Sequence, residues 1–115
     1  MNPTKNNKLI SLGIEAESIL AIAKNATTAR EWENLSERQT VLGALLSQVD
    51  PANIVHDFYG NFFAASDAIS MLQESLLQRV ADDVATDEEK SELIKAFIRQ
   101  TIRDREHSKV QLQSL

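Results

Sequence analysis

Apolar residues recur along this chain in steps of three and four, in four blocks separated by short polar breaks. The longest block runs from Asp50 to Val84. Within it Val55, Phe58, Phe62, Ala65, Ile69, Leu72 and Leu76 alternate between the two spacings. That alternation keeps one face of a helix apolar for about three heptads. Beyond Leu76 the step becomes four, through Val80 and Val84, so the stripe drifts around the helix. Asp50 is placed to cap the N-terminus, and Pro51 suits the first helical position because its φ is pre-set and it has no amide hydrogen to leave unpaired. An unbroken helix over this stretch spans roughly 50 Å at ~1.5 Å per residue. Gly60-Asn61 is its weak point, where a kink is expected before a break, because the stripe keeps phase across it.

Three further helices are expected around it. In the first, starting near Lys8 and ending near Asn25, Leu9, Leu12, Ala16, Ile19 and Ala23 form the stripe, widened by Ile10, Ile14, Leu20 and Ile22. Gly13 inside it suggests close approach of a neighbouring helix. Thr28 and Glu31 make a capping box that opens a second helix to about Val49. Its stripe is Trp32, Leu35, Leu42, Leu45 or Leu46, and Val49. Gln39 falls where the stripe wants an apolar residue: the plain expectation is an edge position with its amide in water, the sharper one a buried polar contact that sets register or meets a partner. Thr86 and Glu89 form a second capping box and start the last helix, whose apolar face is Leu93, Ile94, Phe97, Ile98 and Ile102.

These four blocks and short connections predict an all-α fold, a four-helix up-down bundle with a long third helix. One helical domain over residues 8–115 is expected, after a flexible tail over residues 1–7. Only 3 glycines and 2 prolines occur among 115 residues, few for a turn-rich β fold. There is no cysteine, which excludes disulfides and thiolate metal sites. No apolar run reaches a membrane span. The opening MNPTKNNK lacks the apolar core of a signal peptide, so a cytoplasmic location is the expectation.

Charge changes the picture along the chain. The net charge of −5 divides into 0 over residues 1–49, −8 over 50–89 and +3 over 90–115. An acidic middle and a basic end are expected to pack together. The acidic total argues against nucleic acid as the main partner. Asp82 and Asp83 stand near a helix C-terminus, where the dipole disfavours anions. With Asp87, Glu88 and Glu89 they form an acidic turn, read as solvated, or as a patch for a basic partner.

Candidate chemistry is sparse. His56 and His107 lie far apart in sequence, and no zinc, nucleophile-elbow or phosphate-loop pattern occurs. No cofactor and no enzymatic activity are expected. His56 is the one residue with a sharper alternative. His56-Asp57 resembles the start of histidine-kinase dimerisation helices, and Gly60, four residues on, resembles histidine phosphotransfer domains. That resemblance implies a phosphorelay module with His56 as phospho-acceptor beside Asp57 and Gly60.

A second resemblance covers about half of the chain. Residues Ala26 to Leu46, ATTAREWENLSERQTVLGALL, with Trp32, Glu33, Leu35, Arg38, Leu42, Leu45 and Leu46, look like flagellar export chaperones of the FliT type. The segment from Thr86 onward is similar to that family's later helix. The resemblance implies a chaperone whose last helix covers the surface that binds an export substrate, and a transcription regulator as a further partner.

The expected function is a non-enzymatic interaction module, an adaptor, chaperone or regulator that holds an amphipathic helix of a protein partner in a helical groove. The expected partner surface is Phe62, Phe63 and Ile69 on the third helix with Ile94, Phe97 and Ile98 on the fourth. A homodimer formed through the broad aromatic stripe of the third helix is a further reading.

Overall fold

The structure is a computed structural model. It describes the backbone of residues 3–54 and 56–114, and the side chains of residues 10–54 and 57–108. Four helices and no strand occur among the described residues, the all-α bundle that the hydrophobic pattern predicts. The helices are α1 (Pro3–Asn25), α2 (Ala29–Leu46), α3 (His56–Ala81) and α4 (Asp87–Ser114). Helix α1 begins at Pro3 rather than near Lys8, with proline at the first helical position that suits it.

Local chemistry sets the helix ends. Thr28 Oγ1 accepts from the Glu31 amide at 3.1 Å, and the Thr28 amide donates to Glu31 Oε1 at 3.1 Å. Thr86 and Glu89 repeat the exchange at 3.1 and 3.3 Å. Both expected capping boxes are therefore formed. Asp50 also caps, accepting from the Ala52 amide at 3.0 Å, but what it starts is a single 3-10 turn, Pro51–Asn53. The chain is extended at Ile54, and α3 begins afresh at His56. The expected single helix from Asp50 is thus divided near Ile54, and it continues without interruption through Gly60-Asn61.

The end of α3 accounts for its acidic residues. Asp83 takes the left-handed conformation, φ 58°. The Val84 amide reaches back to the Arg79 carbonyl at 3.0 Å, and the Asp83 amide to that of Val80 at 3.1 Å. This is a Schellman ending with aspartate in the place usually taken by glycine, and short polar residues tolerate that region best. Asp82 accepts from Gln78 at 2.8 Å, and Asp83 lies 3.5 Å from Lys90.

The core lies among α1, α2 and α3. Leu12, Ala16, Ile19 and Ala23 of α1 and Trp32, Leu35 and Leu42 of α2 are buried with Phe58, Ala65, Ile69, Leu72 and Leu76 of α3. Ile10, Ile14 and Ile22, expected to widen the first stripe, face solvent instead. Polar side chains cross the same interfaces. Arg38 of α2 holds Glu15 of α1, with Nε to Oε2 at 3.0 Å. The Gln39 amide is not in water: it donates to the Phe62 carbonyl at 2.9 Å and to Ser66 Oγ at 2.8 Å, fixing α2 on α3.

Helix α4 joins this core from one side only, against α2. Leu93 and Ala96 are buried there, and the Phe97 ring lies 4.8 Å from that of Trp32. The bundle is consequently open, 33 Å wide and 17 Å thick. Among the described ion pairs the expected pairing of the basic end with the acidic middle comes down to Lys90 with Asp83 at the α3–α4 turn, while Arg79 and Glu89 pair within the middle segment. Arg99 and Arg103 of α4 pair with α2.

A methyl group added at Gly13 meets nothing within 4 Å among the described residues, so none of their helices approaches closely there. Glycine in a helix interior costs ~1 kcal/mol against alanine through backbone entropy. Gly13→Ala should therefore raise stability by about 0.5–1 kcal/mol in a chemical denaturation series. A loss of stability would show that another element packs on this position.

Candidate functional site

The placement of α4 is decided by a carboxylate. Glu33 on α2 is 7% exposed, a rare degree of burial for a charged residue. Two arginines one turn apart on α4 reach it. Arg99 is bidentate, with Nε to Oε2 at 2.8 Å and Nη2 to Oε1 at 2.9 Å. Arg103 Nη1 adds a third contact to Oε2 at 2.9 Å and lies 3.6 Å from Glu37. The Arg99 hydrogen bonds, opposed in part by desolvation, hold the Glu33 carboxyl below the usual glutamate range, with the positive charges of Arg99 and Arg103 helping. Beside it the Trp32 indole packs on Phe97, its Nε1 buried with no hydrogen-bond partner among the described residues.

This clamp turns Leu93, Ala96 and Phe97 inward and leaves Ile94, Ile98 and Ile102 in solvent. It also keeps the N-terminal half of α4 off the flank of α3. An open groove of about 1210 Å³ results, between α3, the α1–α2 turn and the start of α4. Its floor is backed by the buried Ala23, Ala29, Leu72 and Leu76, with Ala68 half-buried and Met71 68% exposed at its edge. Glu88, Glu89 and Glu92 make an acidic wall on the α4 side, and Lys24 and Arg30 stand at the α1–α2 turn. Arg79 is tied to Glu89 at 3.0 Å. The Thr86 amide and Arg79 together hold the Glu89 carboxyl below its ordinary range.

The six expected partner-surface residues do not share one surface. Phe62 is half-buried, its ring over Gly43 of α2 where an added methyl group would meet it at 3.7 Å, and Ile69 is in the core. Phe63 is exposed and stacks on Tyr59. Phe97 faces α2, whereas Ile94 and Ile98 face outward. Because α4 rests on α2, it does not cover the aromatic face of α3. Lifting it would bare Trp32 rather than Phe62 and Phe63.

For the phosphorelay reading, α3 begins at His56, whose side chain lies outside the described residues. Asp57 and Gly60 are exposed on its first turns. Among the described residues no group of three or more histidine, aspartate or glutamate side chains is placed to hold a metal ion. No helix there is long and apolar enough to cross a membrane. No protein-family model, curated protein or solved structure matches the chain.

Neither the burial of Glu33 nor the groove beside Met71 is expected from the sequence. A hydropathy pattern reads a glutamate as surface. The available signal was the pairing of Trp32-Glu33 at a helix start with two arginines four apart on a later helix.

The clamp makes a pH prediction. With the native carboxyl depressed, the unfolded chain takes up the proton more readily than the folded one. The stability contributed by Glu33 is complete above the ordinary glutamate range and is lost as pH falls through the lowered native value. Glu33→Gln should cost ~1–3 kcal/mol near neutral pH. Its loss of stability towards acid should be shallower than in the wild type. Parallel acid limbs in urea denaturation would contradict the assignment.

Proposed function

We propose that this chain is a non-enzymatic helical interaction module, an adaptor, chaperone or regulator. Its groove between α3, the α1–α2 turn and α4 receives an amphipathic helix from a protein partner. The observation that carries this reading is the groove itself: an apolar floor along Ala68, Leu72 and Leu76, with Met71 standing free at its edge, beside a wall of carboxylates. Helix-in-groove recognition uses an apolar row of the ligand for affinity and its flanking charges for orientation. Methionine suits such a surface because its unbranched, polarisable side chain adapts to irregular ligands. The acidic wall selects a partner helix whose apolar row is flanked by lysine or arginine.

The resemblance to FliT-type chaperones, carried by Trp32, Glu33, Leu35, Arg38, Leu42, Leu45 and Leu46, supports the secretion-chaperone version. The bound helix is then part of an export substrate. In that version Trp32, Glu33 and Arg38 serve the scaffold. Trp32 and Glu33 seat α4, and Arg38 joins α1 to α2.

The test uses paired baits. The wild-type chain and Met71→Glu are immobilised and exposed to extract of the native host, and retained proteins are identified by mass spectrometry. Met71 is on the surface, so the variant keeps its fold, which circular dichroism checks. A protein with a basic amphipathic segment should be held by the wild type and lost from the variant. A synthetic peptide of that segment should bind the wild type more weakly as salt rises, because the exposed charge contacts are screened. Identical retention by both baits, or peptide binding unaffected by Met71→Glu, overturns the groove as the site.

A further inference from the structure

Three isoleucines stand on the side of α4 turned away from α2. Ile94, Ile98 and Ile102 are 60, 55 and 52% exposed. Single exposed apolar residues are ordinary on any surface. Three in a row over two turns are not scattered, and isoleucine is not among the better helix formers. None of the three lines the groove, so a ligand there leaves the row uncovered.

The row carries a charge pattern along its length. At one end is Asp87 of the first turn, an acid that does not line the groove. At the other is Arg105, exposed and in line with the isoleucines. Unlike Arg99 and Arg103, it does not take part in holding Glu33. Such a surface fits itself when turned end for end about Ile98. Ile98 then meets Ile98, Ile94 meets Ile102, and Ser91 meets Arg105. Asp87 of each copy lies one turn beyond that serine, within reach of an arginine side chain.

We infer that α4 pairs antiparallel with α4 of a second copy of this chain, about a two-fold axis at Ile98. The pairing is isologous, so each contact away from the axis occurs twice. Residues in steps of four lie along one ridge of the helix, and two such ridges interdigitate at a crossing of about −50°. Contact is therefore limited to the turns around Ile98, well below the ~800 Å² per partner of a tight dimer. The dimer is weak and forms with rising concentration. Its two grooves stay open, so the dimer presents two partner sites.

The chain has no cysteine, which makes single-cysteine variants of the full chain clean probes. A disulfide forms only where the two Cα atoms come within about 7 Å. Under mild oxidation Ile98→Cys should cross-link to itself. Ile94→Cys alone and Ile102→Cys alone should stay largely monomeric, and their mixture should give the heterodimer. Sedimentation from about 1 μM to about 1 mM, a range bracketing small interfaces, should show a monomer–dimer equilibrium. Ile98→Lys should remove it, with circular dichroism and thermal midpoint unchanged. A monomer at every concentration overturns the proposal. So does a dimer that survives Ile98→Lys, which would place the interface elsewhere, for example at the exposed Ile10 and Ile14. Self-linking of Ile94→Cys as strong as that of Ile98→Cys would point to a parallel pair and overturn the antiparallel register.

Discussion

The buried carboxylate of Glu33 is the constraint on which the arrangement of this molecule depends. A charge withdrawn from water is costly unless it is paired and its lone pairs are satisfied. Glu33 obtains that from one helix, through three contacts with Arg99 and Arg103. Those arginines are four residues apart, so both can meet one carboxylate only if a single face of α4 is turned to α2. The same rotation brings Phe97 onto Trp32. Hydrophobic burial alone would not choose this rotation. The alternative face, with three isoleucines, is the more apolar one. Pairing of this kind confers specificity of arrangement more than raw stability, because the desolvation of the charge offsets much of the attraction.

Two consequences follow for function. The groove beside α3 exists because α4 is held on α2 instead of lying over Leu72 and Leu76. The isoleucine row exists because the clamp points it outward. One buried charge thus leaves two apolar surfaces available for recognition, on different sides of the last helix. The groove carries an acidic wall and takes a basic amphipathic helix. The row carries opposite charges at its two ends and takes its own copy.

The parts of the fold that the sequence discloses are those governed by local rules. Thr28 with Glu31 and Thr86 with Glu89 are short-range exchanges whose partners are fixed by spacing, and both form. The inward stripes of α1, α2 and α3 are legible from their three-and-four spacing, although α1 also carries Ile10, Ile14 and Ile22 on its outer side, which blurs its edge. Helix α4 is different. Leu93, Phe97 and the isoleucines together make a broad apolar arc, and periodicity cannot say which part of it faces inward. That decision belongs to Glu33 and Arg99, which are 66 positions apart. Gln39 is a similar case: its position as an oddity in the stripe was visible, but its partners Phe62 and Ser66 lie on another helix. The division near Ile54 was hidden by Asp50 and Pro51, which start a 3-10 turn as readily as a long helix. Asp83 looked misplaced against the dipole until its left-handed backbone gave it a structural role. The groove was illegible for the plainest reason. It is a space left between elements, and no residue in it departs from an ordinary amphipathic pattern.

The position of α4 can be read directly from nuclear Overhauser contacts in dilute solution, where a weak dimer is absent. The account predicts strong contacts between the Trp32 indole and the Phe97 ring, with none from the Ile94, Ile98 or Ile102 methyls to α3. Contacts from those methyls to Leu72 or Leu76, without a Trp32–Phe97 contact, would place α4 over α3 and contradict it.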